Sequence, residues 1–267
     1  MLIAYALCCG PSIIVRPEQS GTVQKRFPAP DGSSRIPLAS GSFGAWLRAY
    51  PLLPEGSHIL LFNGTRKVRQ DVHAAVLDLS VGNKDLQQCA DAVIRLRAEF
   101  LLAQGRPSEI HFTFTNGFEA RFDRWAAGDR IRVEGNTCTW RSRSAAPDNS
   151  HASLMRYLEQ VFMYAGTRSL EKELLPLTPD RAVQPGDVMI HGGSPGHAMM
   201  VMDVAVHADG RTFVLLAQSY MPAQQMHIVR NTAAPALGAW FQWNKGAGLR
   251  TPEWEFEWRE RRRWPGT

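Results

Sequence analysis

The chain has 267 residues, 44% of them hydrophobic, so it can bury a substantial core without disulfide or metal staples, as one large domain or a domain with appendages. Its formal net charge is +5, and the stretch Arg259–Trp264 ("RERRRW") gathers four arginines and one glutamate, read as a solvated tail or a contact for phosphate or anionic lipid. No interleaved aromatic and basic stripe marks a nucleic-acid channel, and nothing after the first residues looks transmembrane.

The first fifteen residues, "MLIAYALCCGPSIIV", are mostly apolar. They lack a positively charged start and are too short to span a bilayer, which leaves two readings open: the remnant of an export signal, placing the protein in the cell envelope or periplasm, or a buried N-terminal strand of a cytoplasmic protein. Residues 16–36 are rich in Pro, Gly, Ser and charge and read as a flexible arm. The expected organisation is therefore an N-terminal segment and arm over 1–35, one folded domain over 36–258 and a basic tail over 259–267.

Within that domain "GSFGAWLRAYPLL" predicts a short helix ended by Pro51, and "HILLFNG" and "HAAVLDL" predict strands. The strongest helix follows, where Leu86, Cys89, Val93, Leu96 and Phe100 recur at three- and four-residue steps, with Asp85 or Asn83 as cap and Gly105 as stop. Asn116-Gly117 predicts a hairpin, "DRIRVEG" and "TCTWRS" further strands, and "SHASLMRYLEQVFMYAG" a second helix. Three short strands close the pattern, "PGDVMIHGG", "HAMMVMDVAV" and "TFVLLAQSYM", followed by a tryptophan-rich segment expected to wrap the body.

Two of these elements carry candidate chemistry. A free thiol near pKa 8.5 is a poor nucleophile at neutral pH, and a helix N-terminus or a neighbouring imidazolium increases its ionised fraction. Cys89 lies near the start of the strongest helix, and His197 opens an apolar strand beside Gly192, Gly193 and Gly196. A third group orients such an imidazole. If His207–Gly210 joins the last two strands, Met199 faces Gln218 and His197 faces Tyr220, so Gln218 lies diagonal to His197 at about 7–8 Å between Cα atoms. Gln218 is the first choice as orienter and Tyr220 its competitor. Taken singly, Cys89 is more often a buried structural cysteine and His197 a turn or capping histidine. Cys8, Cys9, Cys89 and Cys138 have no CxxC spacing, a Cys89–Cys138 disulfide is allowed but not required, and no paired-histidine helix motif supports a metal site.

The phrases "DLQQCADAVIRLRAEFL", "SLEKELLPL", "PGDVMIHGGSPGHAMMVMDVA", "LLAQSYMPAQQMHI" and "TPEWEF" resemble an uncharacterised bacterial family of unknown function, from about Ile36 to Phe256. More distantly, the order of helix cysteine, "PGD" turn, strand-opening histidine and polar residue on the next strand is similar to the papain-like superfamily of NlpC-type endopeptidases and cysteine, histidine-dependent amidohydrolases/peptidases. That likeness implies an α+β papain-like fold, a mixed or antiparallel sheet with the Cys89 helix packed on it, and no cofactor. It implies Cys89 as nucleophile, His197 as base and acid, and Gln218 as orienter, with Gln88 helping to line an oxyanion site. Cys89 is followed by Ala90 and Asp91 instead of the Ser-Gly of NlpC-type enzymes, and the span Phe100–Gln184 is long for a minimal domain. The expected function is a thiol hydrolase of amide bonds, with a peptide or cell-wall-like substrate, or else a non-catalytic module of the same fold that binds peptide or glycan.

Overall fold

In a computed structural model, which describes residues 21–267, the apolar run His197–His207 is the longest strand and lies inside the main sheet. Ahead of it come α1 (Val23–Arg26), β1 (Ser33–Arg35), α2 (Phe43–Arg48), β2 (His73–Val76) and α3 (Cys89–Ala103). The hairpin β3 (His111–Thr113) and β4 (Glu119–Arg121), α4 (Phe122–Ala126), and the hairpin β5 (Arg130–Glu134) and β6 (Thr137–Arg141) follow. Then come α5 (His151–Tyr164), α6 (Thr167–Glu173), β7 (Leu175–Pro176) and β8 (Val188–His191). The long strand is β9, succeeded by β10 (Thr212–Gln218), β11 (His227–Val229), β12 (Trp240–Trp243), β13 (Leu249–Arg250), β14 (Glu255–Phe256) and β15 (Arg261–Arg263).

Among the described residues nine strands form one antiparallel sheet in the order β2-β11-β10-β9-β8-β15-β7, with β1 also pairing β9 and β12 also pairing β10. The chain is thus a mixed α and β protein with antiparallel sheets. Both faces of β9 are covered, which is why its sequence is continuously apolar rather than alternating. Ala198, Met200 and Met202 join the core under the helices, while Met199, Val201 and Val204 join a second cluster with Phe241 and Phe256. Helix α3 packs on β9 through a stripe that includes Val93, Leu96 and Phe100, each buried and each contributing roughly 1.5–3 kcal/mol by leaving water.

The register between β9 and β10 changes once. Leu215 pairs with Asp203 but Leu216 pairs with Val201, so Met202 is an extra residue on β9, a β-bulge. Asp203 at that point is wholly buried and takes ion pairs from Arg35 at 2.5 Å and Arg48 at 2.8 Å. Val206 pairs with Thr212 near the turn, one residue away from the expected Val206–Arg211 register, and the bulge removes the difference. Ala217 then pairs with Met200, which sets the following residue, Gln218, beside Met199 as expected.

Several expectations are corrected. The arm expected to run loosely to residue 35 is ordered from α1 onward: Val23 is buried, and β1 adds to β9 because Arg35 reaches the buried Asp203. The apolar start, with Cys8 and Cys9, lies outside the described residues. "HILLFNG" makes isolated bridges at Leu60 and Leu61 in place of a strand. The basic tail is not a free solvated segment: Arg259 is exposed, but β15 pairs with β8, and Arg261 and Arg263 are buried against Asp187 at 3.3 and 2.6 Å. Cys89 and Cys138 are both free thiols. Among the described residues no helix is long and apolar enough to cross a membrane, and no group of three or more His, Cys, Asp or Glu could hold a metal ion.

Candidate active site

Helix α3 begins at Cys89, not several residues earlier. Asp91 Oδ2 accepts the Gln88 N–H at 3.0 Å and caps the first turn. Asp85, expected as the cap, is drawn elsewhere, because its Oδ1 accepts the Ala223 N–H at 2.7 Å and the Gln88 side-chain amide at 3.2 Å, tying this loop to the β10–β11 connection. Cys89 therefore sits at the positive end of a fifteen-residue helix, where its own N–H has no intrahelical acceptor.

His197 is the first residue of β9 and Gln218 the last of β10, and the register shift puts both side chains on one face. His197 Nε2 lies 2.7 Å from Gln218 Oε1. An amide oxygen only accepts, so Nε2 carries the proton and Nδ1 keeps its lone pair for use as a base. The amide nitrogen of Gln218 donates to Glu253 Oε2 at 2.8 Å and to His227 Nε2 at 3.3 Å. Glu253 is held by Lys67 at 2.7 Å, and the Nδ1–H of His227 donates to the Gln225 carbonyl at 3.1 Å. Neighbours on every side thus fix the orientation of the carboxamide.

Tyr220 does not bond the imidazole. Its ring packs against that of His197, with centroids 4.9 Å apart, and Lys67 Nζ sits 5.1 Å from its centre. Trp254, from the loop between β13 and β14, covers the imidazole on another side at 5.2 Å, and Phe256 at 5.9 Å. The Gly192–Gly196 turn is glycine-rich because α6 packs close to it. A Cβ on Gly196 would stand 2.4 Å from Thr167 Oγ1 and 2.7 Å from the Gly193 carbonyl.

Cys89 and His197 line one cleft of about 640 Å³ with Gln88, Asp91, Phe162, Thr167, Tyr220, Met221 and Trp254. The backbone N–H groups of Ala198, next to His197, and of Ala90 and Cys89 favour the Cys89 thiolate. Burial outweighs them, helped by the charge of Asp91, and pushes the thiol up to about 11. Burial likewise pushes His197 down to about 4 against the raising effect of Gln218, with Lys67 adding to the fall. At neutral pH the resting pair is a thiol and a neutral imidazole, so a nucleophilic step here would move the proton as the sulphur attacks. The Gln88 amide, expected near an oxyanion, borders the cleft while donating one hydrogen to Asp85.

Sequence reasoning located Cys89, His197 and Gln218 but missed Glu253, Lys67 and His227, which fix the carboxamide. Their signal was absent because Lys67 and Glu253 lie in segments with no periodicity, and His227 meets Gln218 only through the pairing of β11 with β10.

No curated protein and no solved structure matches the chain. A family model described as a domain of unknown function (4846) matches residues 23–263, a span that contains the whole cleft and starts at α1. The chain belongs to that family of unknown function.

Proposed function

We propose that the protein is a thiol hydrolase that cleaves an amide bond in a peptide, cell-wall peptide included, and that its fold is papain-like. The observation that carries this reading is the shared cleft, in which the helix-terminal Cys89 lies beside a His197 whose tautomer is set by Gln218. The chain order of helix cysteine, strand histidine and polar residue on the next antiparallel strand supports the same reading. Cys89 Sγ attacks the carbonyl carbon while His197 Nδ1 takes the thiol proton, and the Cys89 N–H and the Gln88 amide stabilise the oxyanion. His197 returns the proton to the leaving amine, and water attacks the thioester to release the acid and the thiol.

A second reading, a cleft that binds peptide or glycan without cutting it, is favoured by the thiol held up at about 11. A peptidyl chloromethyl ketone separates the two. The hydrolase reading expects alkylation of Cys89, with loss of chloride, faster than that of Cys138 and slowed at least about ten-fold in His197→Ala. Equal labelling of both thiols, indifferent to His197→Ala, overturns it and leaves the binding module.

A further inference from the structure

Arg97 lies two turns along α3 from Cys89 and has no part in the cleft. It is 7% exposed, yet its guanidinium makes no hydrogen bond or ion pair among the described residues, and Nη1 is buried without a partner. Three aromatic rings enclose it: Phe43 at 5.3 Å, Trp264 at 5.6 Å and Phe100 at 5.7 Å. Rings attract the charge but accept few of the N–H donors, and a buried cation without an anion is costly. The acids on one side of it are engaged elsewhere. Glu109 pairs with Arg106 at 2.6 Å, Glu119 with His111 and Arg121, and Glu173 accepts the Thr113 N–H.

On its other side Arg97 borders a separate cavity of about 380 Å³ between α2, α3 and the Gln184–Pro185 turn. That cavity is lined also by Arg106, Ser42 and Gln184, and among the described residues no carboxylate side chain lines it. We propose that this cavity is a binding site for a small oxyanion, a carboxylate or a phosphate group, with Arg97 as its bidentate ion-pair partner and Arg106, itself paired with Glu109, at its edge. The planar guanidinium fork matches both oxyanions, the aromatic rings hold the fork in one plane, and Arg97 itself has no counter-ion among the described residues. The site is independent of the thiol chemistry.

Thermal unfolding and calorimetry of the full chain with acetate, succinate and inorganic phosphate, against chloride at equal ionic strength, test it. A saturable rise in Tm with at least one probe is expected, and comparing the probes tells a carboxylate site from a phosphate site. Arg97→Lys, which keeps the charge but loses the fork, is expected to weaken that Kd by about ten-fold, and Arg106→Gln to weaken it less. Labelling of Cys89 should be unchanged in both, so failure of the hydrolase reading would not touch this one. No saturable effect from any probe overturns the proposal, as does an effect equal in Arg97→Lys and the parent. Binding that emerges only after removal of Gly266 and Thr267, which also line the cavity, assigns the pocket to that segment and overturns it too.

Discussion

His197 and Gln218 hold each other in a single orientation: Nε2–H donates to Oε1 at 2.7 Å, and both amide hydrogens of Gln218 are taken, by Glu253 and by His227. A flipped carboxamide would set N–H against N–H at His197 and oxygen against a carboxylate at Glu253. The imidazole therefore keeps its lone pair on Nδ1 through a network that reaches Lys67.

Gln218→Ala removes an acceptor from His197 and a donor from Glu253 and His227, all buried or nearly so. The expected loss is roughly 1–3 kcal/mol in urea unfolding, together with slower chloromethyl ketone labelling of Cys89. Labelling unchanged in a folded Gln218→Ala protein would show that the imidazole needs no orienter.

Glu253 and Lys67 form an ion pair whose side chains are only 9% and 10% exposed. Burial lowers the Lys67 pKa, and the Glu253 bond partly restores it. Glu253→Ala leaves that cation and a Gln218 N–H unpaired and is expected to cost about 3 kcal/mol, whereas Lys67→Met with Glu253→Gln should recover most of it. Additive losses in the double variant, measured by urea unfolding, would show that the two groups act independently.

Legibility in the sequence followed how local each cause was. The α3 stripe, the Asn116-Gly117 hairpin and the apolar β9 are written in periodicity and turn residues, and they are present. The position of Gln218 was reached through a register wrong by one residue at the turn. Without the Met202 bulge, Gln218 would stand beside Met200, on the opposite face from His197, because one residue of slip reverses every side chain. A buried Asp203 held by two distant arginines marks that bulge, and no window of sequence around it shows the pairing. The tail failed for the same reason. "RERRRW" reads as surface until Asp187, more than seventy positions earlier, is placed beneath it.

Arg263 binds both oxygens of Asp187, at 2.6 and 3.0 Å, and Arg261 adds a third contact. Arg263→Ala strips the closest partner from a carboxylate with no exposed side-chain surface, and a loss of about 3 kcal/mol is expected. A chain ending after Thr251 also loses Phe256 from the core and β15 from the sheet, so calorimetry should find no cooperative transition near that of the parent. A tail serving only as an association surface would leave both proteins as stable as the parent.

Asp91 makes the stability and the reactivity of the cleft depend on pH together. Burial pushes its carboxyl up to about 8 from the unfolded value of 3.8, against the favourable N–H bonds of Gln88 and Asp91 itself. Between those values the folded protein keeps a proton that the unfolded chain has released, so the contribution of this group to stability falls as pH rises. Asn is neutral throughout and still offers an oxygen to the Gln88 N–H. Asp91→Asn should therefore be near parity with the parent around pH 4 and gain on it steadily to pH 8. The opposite slopes from His197, lowered to about 4, and His227, lowered to about 3, are common to both proteins and cancel in the difference. The Asp91 charge also raises the Cys89 thiol, so its removal should bring the midpoint of Cys89 alkylation below about 11. Urea unfolding from pH 4 to 8 and iodoacetamide rates from pH 6 to 12 check both. A difference in stability that stays constant with pH would mean that Asp91 is ionised in the folded protein over the whole range, and the thiol midpoint would then be the more sensitive reporter of its charge.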